Sequence, residues 1–186
     1  MDVNFLFDPK SHFNIANLFT WANVTFGLVA AFLVTQHRFA EAALFAWLGG
    51  FCDIFDGKLA RKYGLSSEFG VQLDSFADFL TFVIVPVFFI FVGIYDNLHG
   101  IWFVLGAVAS IYYVISGIRR LIQFNIDAQP GNVGKYFVGV TTPLGAILLW
   151  LVWLGNVYGL VPDIAVIGSM LLIGWLLNSK VKVPHP

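Results

Sequence analysis

The chain has 186 residues, of which 59% are hydrophobic, 17% aromatic and only 11% charged, with a formal net charge of −1. A soluble domain carries about 25% charged residues, so the polar surface needed to cover this chain in water is missing. With a mean hydropathy of +0.82 it reads as an integral membrane protein; the apolar content excludes a disordered chain, the single Cys52 a disulfide-stapled module, and the charge balance a nucleic-acid partner.

Residues 1–13 contain Phe5, Leu6 and Phe7 ahead of Pro9, and are expected either to lie in the headgroup layer as an interfacial segment or to form a tail. Six apolar stretches follow, at 14–35, 41–62, 69–96, 101–122, 136–157 and 161–177. Each is close to the roughly 20 residues that cross a hydrocarbon core. The first is preceded by Asp2, Asp8 and Lys10 rather than by a basic run, so it is read as a retained span. Residues 79–91 are continuously apolar, unlike the alternating strands of an outer-membrane barrel. The expected fold is all-α: a polytopic bundle of six transmembrane helices forming one domain over 1–186. Pro86 and Pro143 are expected to kink the third and fifth spans, and Gly155 and Gly159 to form either a small-xxx-small contact or a turn.

Six spans place both termini on one side. That side would hold Lys10, Lys58, Arg61, Lys62, Arg119, Arg120, Lys135, Lys180 and Lys182, against Arg38 alone on the other. The positive-inside rule makes the basic side, and with it both termini, cytoplasmic.

Four carboxylates, Asp53, Asp56, Asp74 and Asp78, fall inside or at the cytoplasmic ends of the second and third spans, where an unpaired acid is costly. Spacings of three and four put each pair on one helical face, and the short turn between the helices lets the two faces meet. An all-oxygen pocket suits hard divalent cations, Mg²⁺, Mn²⁺ or Ca²⁺, rather than zinc or iron. His12, His37, His99 and His185 sit in tails or loops as surface residues, and Cys52 reads as packing filler. The plainer reading of the quartet is a set of salt bridges to Lys58, Arg61 and Lys62; it explains neither the helical spacing nor the neighbouring small residues Gly57, Ala60 and Gly70. Arg61 adds a planar fork suited to a phosphate. Together these residues point to phosphoryl transfer.

As a string, residues 53–78 read Asp53-x2-Asp56-Gly57-x2-Ala60-Arg61-x8-Gly70-x3-Asp74-x3-Asp78. This resembles the full signature of the CDP-alcohol phosphotransferase family, a six-helix membrane core with the motif on helices two and three. The resemblance implies that Asp53, Asp56 and Asp74 ligate two divalent ions that grip the diphosphate of a CDP-linked donor. Asp78 would complete the site and act as the base toward the incoming hydroxyl. Gly57, Ala60 and Arg61 would contact the CDP moiety and Gly70 would allow its close approach; Asn23 is placed where it would face the site.

Other stretches resemble the phosphatidylserine synthase branch. They are Thr20-Trp21-Ala22-Asn23-Val24-Thr25-Phe26-Gly27, Arg120-Leu121-Ile122-Gln123-Phe124-Asn125, Lys135-Tyr136-Phe137-Val138-Gly139 and Asn178-Ser179-Lys180-Val181-Lys182-Val183-Pro184. Two departures stand out: Gln123 where the branch has Arg, and Gly139-Val140-Thr141 where it has Gly-Leu-Pro. The branch implies CDP-diacylglycerol, or an archaeal ether-lipid equivalent, as donor and L-serine as acceptor, with Arg120, Asn125 and Lys135 as acceptor contacts. Glycerol-3-phosphate, an inositol phosphate or another small alcohol are the alternative acceptors. The family also implies a homodimer in the cell membrane, working at the cytoplasmic leaflet. The competing class is a cation transporter, since intramembrane acids are a transport signature; against it, apart from Glu41 and Asp96 at the span ends, no acidic residue lines the outer half of spans two or three.

Overall fold

The structure, a computed structural model, describes residues 3–127, 136–179 and 182–184. Helices dominate it: α1 (Ile15–Thr35), α2 (Phe39–Tyr63), α3 (Glu68–Asp78), α4 (Val85–Gly93), α5 (Ile101–Asp127), α6 (Thr142–Val157) and α7 (Asp163–Leu177). A π-helical turn, Phe79–Ile84, joins α3 to α4, so Glu68–Gly93 is one apolar stretch of 26 residues. Three stretches are long and apolar enough to cross a membrane: Ile15–Thr35, Glu68–Gly93 and Ile101–Asp127. The 25 residues of α2 give it the length, but its second half carries Asp53, Asp56, Lys58, Arg61 and Lys62. Helices α6 and α7 are apolar but have 16 and 15 residues, about 24 and 23 Å at 1.5 Å per residue.

Local chemistry sets the helix ends. Asn14 caps α1 by accepting from Asn17 N at 2.9 Å, and Ser67 caps α3 by accepting from Gly70 N at 3.1 Å. Between them α2 stops at Gly64, whose φ of 64° is left-handed and so favours glycine. The fifth helix begins at Thr142 rather than at 136, because Tyr136–Val138 pairs antiparallel with Lys182–Pro184. Gly139 turns the chain between strand and helix at φ 90°, where a Cβ would lie 2.7 Å from the Leu177 carbonyl oxygen. Pro143 therefore sits in the first turn of α6, where its missing N–H costs nothing, and does not kink a span. Pro86 likewise lies at the start of α4, and the Phe82 carbonyl accepts from the Tyr113 hydroxyl at 3.5 Å. Gly155 and Gly159 make a turn: Gly159 has φ 71° and the Leu160 N–H donates to Gly155 O at 2.8 Å.

The chain divides into two compact units, one ending at Thr81 and the other beginning at Phe82. In the first, α1 packs against α2 and α3. As far as Ala30 its buried face is polar or small, Asn17, Thr20, Asn23, Gly27 and Ala30, with Leu33 and Val34 buried only in the last turn, while Leu18, Leu28 and Phe32 point outward. That is the reverse of a water-soluble helix, as expected where lipid is the solvent and small residues let helices approach. In the second unit, α7 packs against α5 and α6, and α6 against α4. Here Gly106 receives the Tyr95 ring, Gly117 the Val83 side chain and Gly174 the Tyr112 ring. Ile111, Ile115, Leu172 and Trp175 face outward. Outer faces this apolar identify an integral membrane protein.

Candidate active site

The last turns of α2 and the first of α3 form a cleft of about 170 Å³ with the start of α1. Helical spacing brings Asp53, Asp56 and Asp74 together, each offering an oxygen within 4.8 Å of the others. Asp56 and Asp74 line the cleft. Asp56 is only 5% exposed, and its Oδ2 accepts from Thr20 Oγ1 at 2.7 Å. The carboxyl of Asp78 lies against that of Asp53, and its Oδ1 is sealed from solvent with no hydrogen-bond partner among the described residues.

Among the described residues no cation pairs with this cluster. Lys58 Nζ stands 5.7 Å over the Phe55 ring, Lys62 Nζ 5.3 Å over the Tyr63 ring, and the Arg61 guanidinium folds back over Gly57, 3.3 Å from where a Cβ would be. None of them forms an ion pair with the quartet among the described residues, which removes the salt-bridge reading. At an effective dielectric of about 20, ionised carboxylates this close repel by roughly 3 kcal/mol per pair. The donor set is all oxygen, and a divalent cation among Asp53, Asp56 and Asp74 would offset the repulsion; the residues present fit such an ion.

Gly57, Ala60, Arg61 and Gly70 also line the cleft. A Cβ on Gly70 would meet Asn17 Oδ1 at 3.0 Å and Ser67 Oγ at 3.3 Å, so this wall is already at contact distance. From α1 the lining residues are Ala16, Asn17 and Thr20. Asn23, expected at the donor, sits elsewhere: it is buried, with Oδ1 accepting from Thr81 Oγ1 at 2.7 Å. Its amide oxygen is engaged inside the unit, where Gly49 and Thr81 close around it. Arg120 lies in the second unit, 6% exposed, with Nε donating to Val140 O at 3.0 Å. Asn125 is half-buried near the end of α5, and Lys135 falls outside the described residues. Gln123, in place of the branch's arginine, donates to Asp127 Oδ1 at 2.9 Å.

Sequence reasoning missed Asn17, Thr20, Ser66 and Ser67. A signal was present for the first two: Asn17 and Thr20 are polar, three residues apart and so on adjoining positions of one side of an otherwise largely apolar helix. Asn17 also ties down the preceding chain, its Nδ2 donating to Ser11 O at 3.4 Å and His12 O at 3.3 Å, while the His12 ring stacks on Phe69 at 4.1 Å.

A carboxylate cluster without a paired cation among the described residues, opening on a cleft with an arginine and a floor of small residues, is a place for metal-bound phosphates. The sequence profile described as CDP-alcohol phosphatidyltransferase matches residues 13–178, and the chain belongs to that family of transferases of phospholipid biosynthesis. Among its relatives is the CDP-diacylglycerol–serine O-phosphatidyltransferase of Bacillus subtilis (strain 168), 34% identical over 169 residues, which are 90% of this chain and 88% of the relative. Enzymes of the same description from Methanocaldococcus jannaschii and Helicobacter pylori (strain J99) are 31% and 29% identical. Those matches cover 96% and 91% of this chain, and 78% and 71% of the relatives.

Proposed function

We propose that the protein transfers the phosphatidyl group of CDP-diacylglycerol to the hydroxyl of L-serine, releasing CMP, at the cytoplasmic face of the cell membrane. The observation that carries the chemistry is the convergence of Asp53, Asp56 and Asp74 within 4.8 Å with no cation among the described residues paired to them. Serine is supported by what the relatives from Bacillus, Methanocaldococcus and Helicobacter are called, over nine-tenths or more of this chain. The six apolar helical runs and the nine-to-one distribution of Lys and Arg favour six spans with both termini inside.

In this reading Asp53, Asp56, Asp74 and Asp78 hold two divalent cations, Mg²⁺ or Mn²⁺. Bound there, the ions neutralise the diphosphate and stabilise the charge that develops during displacement. The chain's own residues do the rest. The Arg61 fork and the open backbone at Gly57 and Gly70 seat the CDP moiety in the cleft. Asp78, with its free Oδ1, accepts the proton of the serine hydroxyl as that oxygen bonds to the lipid-bearing phosphorus. The bond from that phosphorus to the bridging oxygen breaks, and the electron pair leaves with CMP. Arg120, Asn125 and Lys135 are the acceptor contacts that the family branch implies, two cations and an amide suited to serine's carboxylate.

The test is CMP release by detergent-purified protein given CDP-diacylglycerol, Mn²⁺ or Mg²⁺, and in turn L-serine, glycerol-3-phosphate, inositol phosphate or choline. Serine-dependent release that Asp78→Asn abolishes is the expected result. Release with a different alcohol would keep the chemistry and overturn the acceptor. No release with any of them, or full release by Asp78→Asn, would overturn the mechanism.

A further inference from the structure

One polar cluster of the first unit lies outside the cleft and has no part in the chemistry described so far. Asn23, on α1, is 0% exposed. Its Oδ1 accepts from Thr81 Oγ1 at 2.7 Å, and a Cβ on Gly49 of α2 would come within 2.9 Å of the same oxygen. Its Nδ2 is sealed and donates to nothing among the described residues. A buried amide proton without an acceptor is costly and calls for an explanation.

Asp78 Oδ1 is a second orphan of the opposite kind, a sealed acceptor with no donor. Two chain segments bracket the distance between the two. Thr81, which holds the amide, lies three residues beyond Asp78. Gly49, which abuts the amide, lies four residues before Asp53, whose carboxyl touches that of Asp78. The positions that hold the Asn23 amide are therefore offset from those of Asp53 and Asp78 by about one helical turn, roughly 5–6 Å along the helix axes. Two hydrogen bonds of about 2.8 Å through one water span that gap. Thr81 also lies in the π-helical turn that begins directly after Asp78, and such turns gather at functional sites.

We infer that Asn23 is a positioning residue for Asp78: Thr81 fixes the orientation of the amide, and Nδ2 donates through one buried water to Asp78 Oδ1, holding that carboxyl where it receives the hydroxyl proton. The inference rests on the reading of Asp78 as the base.

The experiment measures serine-dependent CMP release by the full-length protein, per folded molecule, for Asn23→Ala, Thr81→Val, Thr81→Ser and the double variant Asn23→Ala/Thr81→Val. Expected are at least a 10-fold fall in kcat for Asn23→Ala and Thr81→Val, with KM for CDP-diacylglycerol and the half-saturating Mn²⁺ each within 2-fold of the parent. Thr81→Ser, which keeps the hydroxyl, recovers at least half of kcat, and the double variant is no slower than Asn23→Ala alone. A raised KM with unchanged kcat would make Asn23 a donor contact and overturn the inference. So would wild-type kcat in the folded fraction of both single variants, which marks a purely structural role. Asp78→Asn, run alongside, separates the two levels: if it turns over normally, the base assignment fails and this inference with it. If Asp78→Asn is inactive while the Asn23 and Thr81 variants are unimpaired, the positioning role alone falls.

Discussion

Thr20→Val is the most direct probe of how the first helix serves the carboxylates on the next two. Thr20 Oγ1 sits 2.7 Å from Asp56 Oδ2 and 3.3 Å from Ala16 O, so its single proton belongs chiefly to the carboxylate. Valine has nearly the same shape, so the substitution removes the donor without opening a cavity. A hydroxyl hydrogen bond to an ionised acceptor contributes about 1.5–3 kcal/mol, and Asp56 is too buried for solvent to replace it freely. At about 1.4 kcal/mol per decade this corresponds to roughly 10- to 100-fold, the usual loss when the partner of a metal ligand is removed. The assay is CMP release at fixed CDP-diacylglycerol and serine while Mn²⁺ is titrated. The half-saturating Mn²⁺ is expected to rise about 10- to 100-fold, with the maximal rate recovering to within about threefold of the parent at saturating metal. Superimposable activation curves, or a lower plateau that no added Mn²⁺ restores, would refute the view that Thr20 acts by orienting Asp56 as a metal ligand.

Three further outcomes follow from distances in the two units. Gly70→Ala places a methyl 3.0 Å from Asn17 Oδ1 and narrows the cleft; initial-rate measurements should show KM for the CDP donor raised roughly tenfold, the scale of one misplaced methyl group. Arg61→Lys keeps the charge but loses the planar fork, so KM for the donor should rise while the half-saturating Mn²⁺ stays put, and Arg61→Gln should raise it further. In the second unit, Gly117→Ala drives a Cβ to 2.7 and 2.8 Å from the two Val83 methyls, an overpacking that costs about 1–3 kcal/mol. Thermal unfolding in detergent should show the loss, and adding Val83→Ala should restore much of it.

What the sequence by itself determined is what short-range periodicity and composition carry. Apolar runs mark the helices because a helix in lipid must be apolar over most of its length. The four aspartates could be read as one site because i, i+3 and i, i+4 spacing is a property of the helix alone, whatever packs beside it. The turn at Gly64 and Ser67 is equally local, and it folds Asp53 and Asp56 against Asp74 and Asp78. The start of the fifth helix escaped this reading: Tyr136–Val138 is apolar enough to extend the run, and its pairing with Lys182–Pro184 comes from more than 40 residues away. Only the tertiary structure decided which face of α1 meets the acids, and hence that Asn17 and Thr20 line the cleft while Asn23 lies locked between Gly49 and Thr81. The same holds for the fate of the basic residues, since charge can be counted in a sequence but its pairing cannot. Lys58 and Lys62 rest on aromatic rings instead of the carboxylates. An aspartate's need for a cation is written in its own chemistry, whereas what comes to rest beside it depends on the crossing of helices distant along the chain.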